Sequence, residues 1–194
     1  MKLAQSIALP ASVITTGLIA GLFFGWVCSV MPGLGRGSDR AFVETMQHVN
    51  RAIINGWFML PFVGSIPLIA LVAVLAWRGQ GRPALPWIIA GLVFYIVAFL
   101  VTMLANVPLN DELDRAGDPA RIADLAAVRE RFERPWVTWN IVRTLAHTAA
   151  FGCLVWALVV YGAHRDQQRA AGEPSPAAGP GTARSATGTA EPPG

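Results

Sequence analysis

Four stretches of this chain, at about residues 7–31, 53–77, 86–105 and 136–163, are apolar for long enough to cross the roughly 30 Å of hydrocarbon in a bilayer as helices. None contains Asp, Glu or Lys. A backbone surrounded by lipid must satisfy its own hydrogen bonds, so segments of this length have one solution, the α-helix. The expected fold is therefore all-α: a four-helix transmembrane bundle over residues 1–169. Composition agrees, with 54% hydrophobic and only 14% charged residues. Residues 170–194 hold no large apolar side chain and are expected to form a disordered tail.

The first stretch is longer than a signal-peptide core and has a single Lys ahead of it, so it should stay in the membrane. It carries Gly17, Gly21, Gly25 and Ser29 at a spacing of four, a ridge that predicts a close helix contact along its length. Cys28 and Cys153 fall inside apolar segments and are expected to pack as small hydrophobes. The formal charge of +3 comes from scattered Arg residues without a basic run, which sets nucleic acid aside as a partner.

Polar residues at membrane depth carry the functional signal, because they are costly unless they face a bundle interior or a wet cavity. At about 100° per residue, Trp136, Trp139, Asn140, Arg143 and His147 fall within one arc of a helix at the mouth of the fourth span. A second stripe, Glu44, His48, Arg51 and Asn55, lies on a helix starting near Ser38 or Asp39. If that helix is continuous with the second span, this stripe also dips toward the membrane. Pro108 should end the third span near Asn106, with Asn106 and Asn110 facing the interior. Between spans three and four, Asp118 and Pro119 open a short amphipathic helix whose apolar side is Ile122, Leu125, Ala126, Val128 and Phe132.

Topology puts the start of span two, the end of span three and the start of span four on one side, so these polar groups should converge there. They would either brace four helices in register or line a pocket. Trp rings with Arg, Asn and His suit a planar, hydrophobic, hydroxylated ligand. A cation shared by Glu44, His48 and His147 is a weaker alternative, since no HExxH or paired-Cys motif is present.

The segments Asn106-Val-Pro-Leu-Asn110, with Leu113 after it, and Trp136-x-x-Trp-Asn-x-x-Arg143, together with the Gly-rich first span, resemble a known family. It is the group of small four-span membrane proteins that includes the fungal anthrone oxygenases and many bacterial members without an assigned function. The resemblance covers about residues 8–162. It implies an oxygenase that converts an anthrone-like polyketide to a quinone with dioxygen, without a redox cofactor and with no bound metal. It also implies that His48, Asn106, Asn110, Trp139, Asn140 and Arg143 are pocket residues. On this view His48, Asn140 and Arg143 act in the reaction, a base forming a carbanion and Arg143 stabilising the oxyanion. Trp136, Glu44, Arg51 and His147 would join the remaining residues in holding the substrate. The alternative is a non-catalytic membrane protein that binds a small ligand or a partner.

Orientation follows from charge. The long connections carry more Lys and Arg than the side with the termini, but acids match them, whereas Arg78 and Arg82 flank a turn without any acid. Both termini are expected on the cytoplasmic side of a bacterial membrane.

Overall fold

The computed structural model describes residues 2–79 and 81–172, so the expected tail beyond 172 lies outside the described residues. Among the described residues the chain is almost entirely helical, without strands, and four helices are long and apolar enough to cross a membrane. Helix α1 (Lys2–Gly25) widens into a π turn at Trp26–Val30 and ends in the short α2 (Met31–Leu34). Helix α3 (Asp39–Ala52) follows, then α4 (Gly56–Arg78), a tight 3-10 turn at Arg82–Ala84, and α5 (Leu85–Val101). A second π turn, Thr102–Asn106, leads into α6 (Val107–Arg115), and the chain closes with α7 (Leu125–Gly172).

Helices α1, α4, α5 and α7 pack in a ring, α7 against both α5 and α1, with α4 closing it between α1 and α5. Their shared core runs from Leu9 through Ile69, Val72, Ile88 and Tyr95 to Leu154 and Tyr161. The short turn at Arg82–Ala84 makes α4 and α5 antiparallel neighbours, and the two longer connections lie at the other end of the ring. The end of α1, the start of α4, the end of α5 and the start of α7 therefore meet at one mouth. Over that mouth sits a second core, formed by Met31, Phe42, Val43, Met46, Leu113, Phe132 and Trp136. Arg129 ties this cap together: it donates to the carbonyls of Gly35 (2.8 Å) and Gly37 (3.0 Å), pairs with Asp39 and Glu133, and lies over the Phe42 ring.

Four details differ from the sequence reading, each for a local reason. Helices α3 and α4 are not continuous. The Asn55 side chain accepts from Phe58 N–H (3.2 Å) to cap α4 and donates to the Ala52 carbonyl (2.8 Å), so one amide ends one helix and starts the next. Ser38 caps α3 as expected, accepting from Ala41 N–H.

The third span does not end near Asn106. The backbone takes a π turn in which Val107 N–H reaches back to Thr102 O, and this widened turn carries the helix past Pro108 into α6. The amphipathic stretch of the long connection is not a separate helix. Asp118 caps only a turn, Asp124 accepts from Ala127 N–H at the start of α7, and that helix runs unbroken through Pro135 for 48 residues. Its expected apolar residues Ile122, Leu125, Val128 and Phe132 do pack on the cap core.

The glycine ridge packs at one point only. A Cβ on Gly17 would lie 2.9 Å from the Phe151 ring of α7, whereas Gly21 and Gly25 have open space and Ser29 is exposed.

Candidate functional site

The cap and the ring enclose a cavity of about 380 Å³ at the mouth. Its walls are Phe23 and Trp26 from the end of α1, Phe58, Met59 and Phe62 from the start of α4, Thr102 and Met103 from the π turn, and Trp136 from α7. Phe58 and Phe62 stack with ring centroids 4.9 Å apart, and Phe23 meets both edge-on. These rings come from three helices, so the aromatic wall exists only once the bundle has assembled. On the outer side Ile54, Met59 and Met103 both line the cavity and are exposed, so the cavity reaches the molecular surface there.

Arg143 supplies the polar centre. It is 5% exposed, and its guanidinium carbon lies 4.0 Å from the Phe23 ring centroid and 5.2 Å from that of Trp136. Nε donates to Asn140 Oδ1 at 3.0 Å. Among the described residues no carboxylate pairs with it and no acceptor meets its two terminal nitrogens. Aromatic faces attract a desolvated cation by about 2 kcal/mol, so the two rings offset only part of the loss of hydration. The terminal nitrogens of Arg143 are therefore turned to the cavity, which it lines, and are free to meet an oxygen there.

The surrounding polar groups hold Arg143 and its neighbour Trp136 in place. Trp136 Nε1 donates to Asn110 Oδ1 (2.8 Å), and Asn106 Nδ2 donates to the Trp136 carbonyl (3.2 Å). His147 is wholly buried, caged by Tyr95 at 4.9 Å and Phe23 at 5.2 Å. Its Nδ1 lies 2.9 Å from the Arg143 carbonyl; that oxygen can only accept, so Nδ1 carries the proton and Nε2 is left as a buried acceptor without a partner. Among the described residues Asn106 Oδ1 and Asn140 Nδ2 are likewise buried without a partner.

Of the residues singled out in the sequence, the structure brings together Asn106, Asn110, Trp136, Asn140, Arg143 and His147. Asn110, Trp136 and Arg143 line the cavity, and the other three stand behind them. Trp139 is 42% exposed and points away. The second stripe does not join them. Glu44 and His48 lie on the exposed face of α3 outside the cavity, because the break at Asn55 lets α3 turn its apolar face, Phe42, Val43 and Met46, onto the cap core. Arg51 reaches the rim, where Nε donates to Asp114 Oδ1 at 2.8 Å, and Asn55 is occupied as a helix cap. Glu44, His48 and His147 do not assemble as a ligand set: among the described residues no three His, Cys, Asp or Glu side chains form a metal-holding group.

The sequence reading missed Phe23, Trp26, Phe58, Phe62 and Asn50. The pairs 23/26 and 58/62 have helical spacing, but inside an apolar span nothing distinguishes a pocket wall from a lipid contact. Asn50 stood off the polar stripe that drew attention on the same helix.

The fold and this site define a class: a four-span membrane bundle that encloses an aromatic cavity with a buried, unpaired cation. The family model described as Anthrone oxygenase matches residues 57–153, half of the chain, and the protein belongs to that family. No curated protein and no solved structure matches the chain. The matched segment holds Asn106, Asn110, Trp136, Asn140, Arg143 and His147, while the walls given by α1 and α3 lie outside it.

Proposed function

We propose that this protein is a membrane oxygenase that oxidises a planar, hydroxylated aromatic of the anthrone type to a quinone with dioxygen, its own residues sufficing without a bound metal or redox cofactor. The observation that carries this reading is Arg143, a buried guanidinium without a carboxylate in a cavity walled by Phe and Trp rings. A cation that serves only to brace a bundle is usually paired within the chain, whereas Arg143 turns its terminal nitrogens to the cavity. Family membership supports the same class of activity.

In the proposed reaction the ring methylene loses a proton, and the electron pair spreads onto the ring oxygen, where Arg143 holds the oxyanion. The carbanion adds dioxygen to give a hydroperoxide. Loss of the second methylene hydrogen with cleavage of the O–O bond releases water and leaves a carbonyl, so CH2 and O2 become C=O and H2O. The base proposed from sequence, His48, lies outside the cavity. Asp111, which lines the cavity and has no ion pair among the described residues, is better placed to take the first proton. Asn140 orients Arg143 through its Oδ1. An apolar substrate dissolved in lipid can enter where Ile54, Met59 and Met103 face outward.

The test is to incubate the purified protein with an anthrone in air and follow quinone absorbance, with an anaerobic control. Quinone formation above the spontaneous rate, dependent on oxygen and on intact Arg143, is the expected result. A rate equal to that of protein-free detergent would overturn the reading.

A further inference from the structure

At the end of the ring away from the cavity, positive charge stands without matching negative charge. Arg78, Arg82 and Arg165 lie there, and the only acid within residues 74–90 and 158–168 is Asp166. Three contacts draw the arginines together. Helix α7 packs against the Arg82–Ala84 turn, with Ala84, Ala157 and Tyr161 in one core. Gly81 has no room for a side chain, because a Cβ there would collide with the Gln5 amide of α1. Next to Gln5 in the chain, Ser6 Oγ accepts from Arg165 Nη1 at 2.9 Å. The turn that carries Arg78 and Arg82 and the part of α7 that carries Arg165 therefore lie side by side over the first turns of α1.

None of the three forms an ion pair among the described residues. Two are nevertheless held in place: Arg82 Nε donates to the Trp77 carbonyl (3.0 Å), and Arg165 lies 5.7 Å from the Tyr161 ring centroid as well as against Ser6. Their other nitrogens, and the whole Arg78 guanidinium, have no hydrogen-bond acceptor among the described residues.

The exposed tryptophans say what surrounds these arginines. Trp57 and Trp77, 93% and 60% exposed, stand at the two ends of α4. The 20 residues between them rise about 30 Å, the thickness of the hydrocarbon layer. Trp rings collect at the two boundaries of that layer. A bilayer registered on both rings ends at Trp77, which puts the guanidinium groups just beyond it at the depth of the lipid phosphates. We infer that this end of the bundle binds the phosphate of an anionic phospholipid headgroup, with Arg78, Arg82 and Arg165 as its donors. Planar guanidinium forks match phosphate oxygens, and three cations against one acid favour a headgroup of net negative charge over a zwitterionic one. Arg115, Arg131 and Arg134 of the cap also lack ion pairs, but seven acids lie among residues 111–134. The inference concerns the end opposite the cavity and does not depend on the proposed reaction.

The full chain in detergent micelles tests it, its thermal midpoint read with equal mole fractions of added phosphatidylglycerol or phosphatidylcholine. A ligand that binds only the folded chain raises the midpoint. In the wild type the rise with phosphatidylglycerol should exceed that with phosphatidylcholine by roughly 3–5 °C, and added salt should shrink the difference. Arg78→Gln, which removes no hydrogen bond among the described residues, should fold normally and lose part of the difference. Adding Arg82→Gln and Arg165→Gln should remove most of it. A matched variant with Arg115→Gln, Arg131→Gln and Arg134→Gln should keep it in full. Comparing two lipids within each variant cancels any change in that variant's own stability. A wild type that does not distinguish the lipids would overturn the inference, as would a difference that survives the loss of all three arginines or disappears equally in the cap variant. If the triple variant does not fold, Arg78→Gln decides alone, and a difference as large as the wild type's counts against the site. Soluble glycerol 3-phosphate that reproduced the rise would also overturn it, because the ligand would then be a free phosphate ester and not a lipid.

Discussion

Arg143 shows how much a single residue can carry. Its charge and its helical register with Trp136, Asn140 and His147 are readable from the chain, but its lack of a counterion emerges only when every neighbouring element is in place. Replacing it by Lys keeps the charge and loses the planar fork that stacks on Phe23. Arg143→Lys should therefore fold with a near-normal thermal midpoint while quinone formation falls by roughly tenfold or more, the ~1.4 kcal/mol scale of one charged hydrogen bond. Equal losses of stability and activity would instead mark a brace. Asp111→Asn should slow proton removal by about a hundredfold if that carboxylate is the base, and His48→Ala should leave the rate unchanged, both read in the same absorbance assay. His48 looked suitable because it shares a helical face with Glu44 and Arg51. That face turned out to be the wet one, and sequence alone does not say which side of an amphipathic helix a mouth will use.

At the scale of elements, the junctions decide the site. Asn55 separates α3 from α4 and so lets α3 fold over the mouth. Asn55→Ala removes an N-cap worth about 1 kcal/mol and should lower the thermal midpoint of the solubilised protein by a few degrees. A Leu substitution at the same position that melts like the wild type would show that the junction holds without the cap. The two π turns, Trp26–Val30 and Thr102–Asn106, each rotate a helix where it meets the cavity, directing Trp26 and Met103 into the wall. The glycine ridge gives a sharper contrast. Gly17→Leu should destabilise the bundle by about 1–3 kcal/mol through overpacking against Phe151, whereas Gly21→Leu, with open space beside it, should be tolerated. Thermal unfolding of the two variants side by side checks it.

The whole molecule is a membrane bundle with one end closed by core and the other opened into a capped cavity. Helix α7, at roughly 70 Å, is about twice the hydrocarbon thickness, so it must extend beyond a bilayer that it crosses. The acid-free turn between Arg78 and Arg82 leads us to expect both termini in the cytoplasm, with the cap and cavity mouth on the opposite face. Reporter fusions at Gly81 and Asp118 decide it: cytoplasmic signal at Gly81 and external signal at Asp118 are expected, and the reverse pattern would invert the protein without altering its fold.

What the chain determines by itself is the part governed by one-dimensional physics. Uninterrupted apolar length sets four spans, the short turn at residues 78–85 makes the second and third antiparallel neighbours, and helical period sets which of Trp136, Asn140, Arg143 and His147 share a face. The motif that runs from Asn106 to Asn110 is likewise legible, though the π turn that carries the helix past Pro108 is not. Tertiary structure alone decides which rings of three apolar helices become cavity wall, which face of α3 goes inward, and which polar atoms are left unpaired. Those outcomes depend on contacts between segments far apart in sequence, as between Gln47 and Gly117 or Asn106 and Trp136. An unsatisfied group is defined by the absence of every partner at once, and no local pattern encodes an absence.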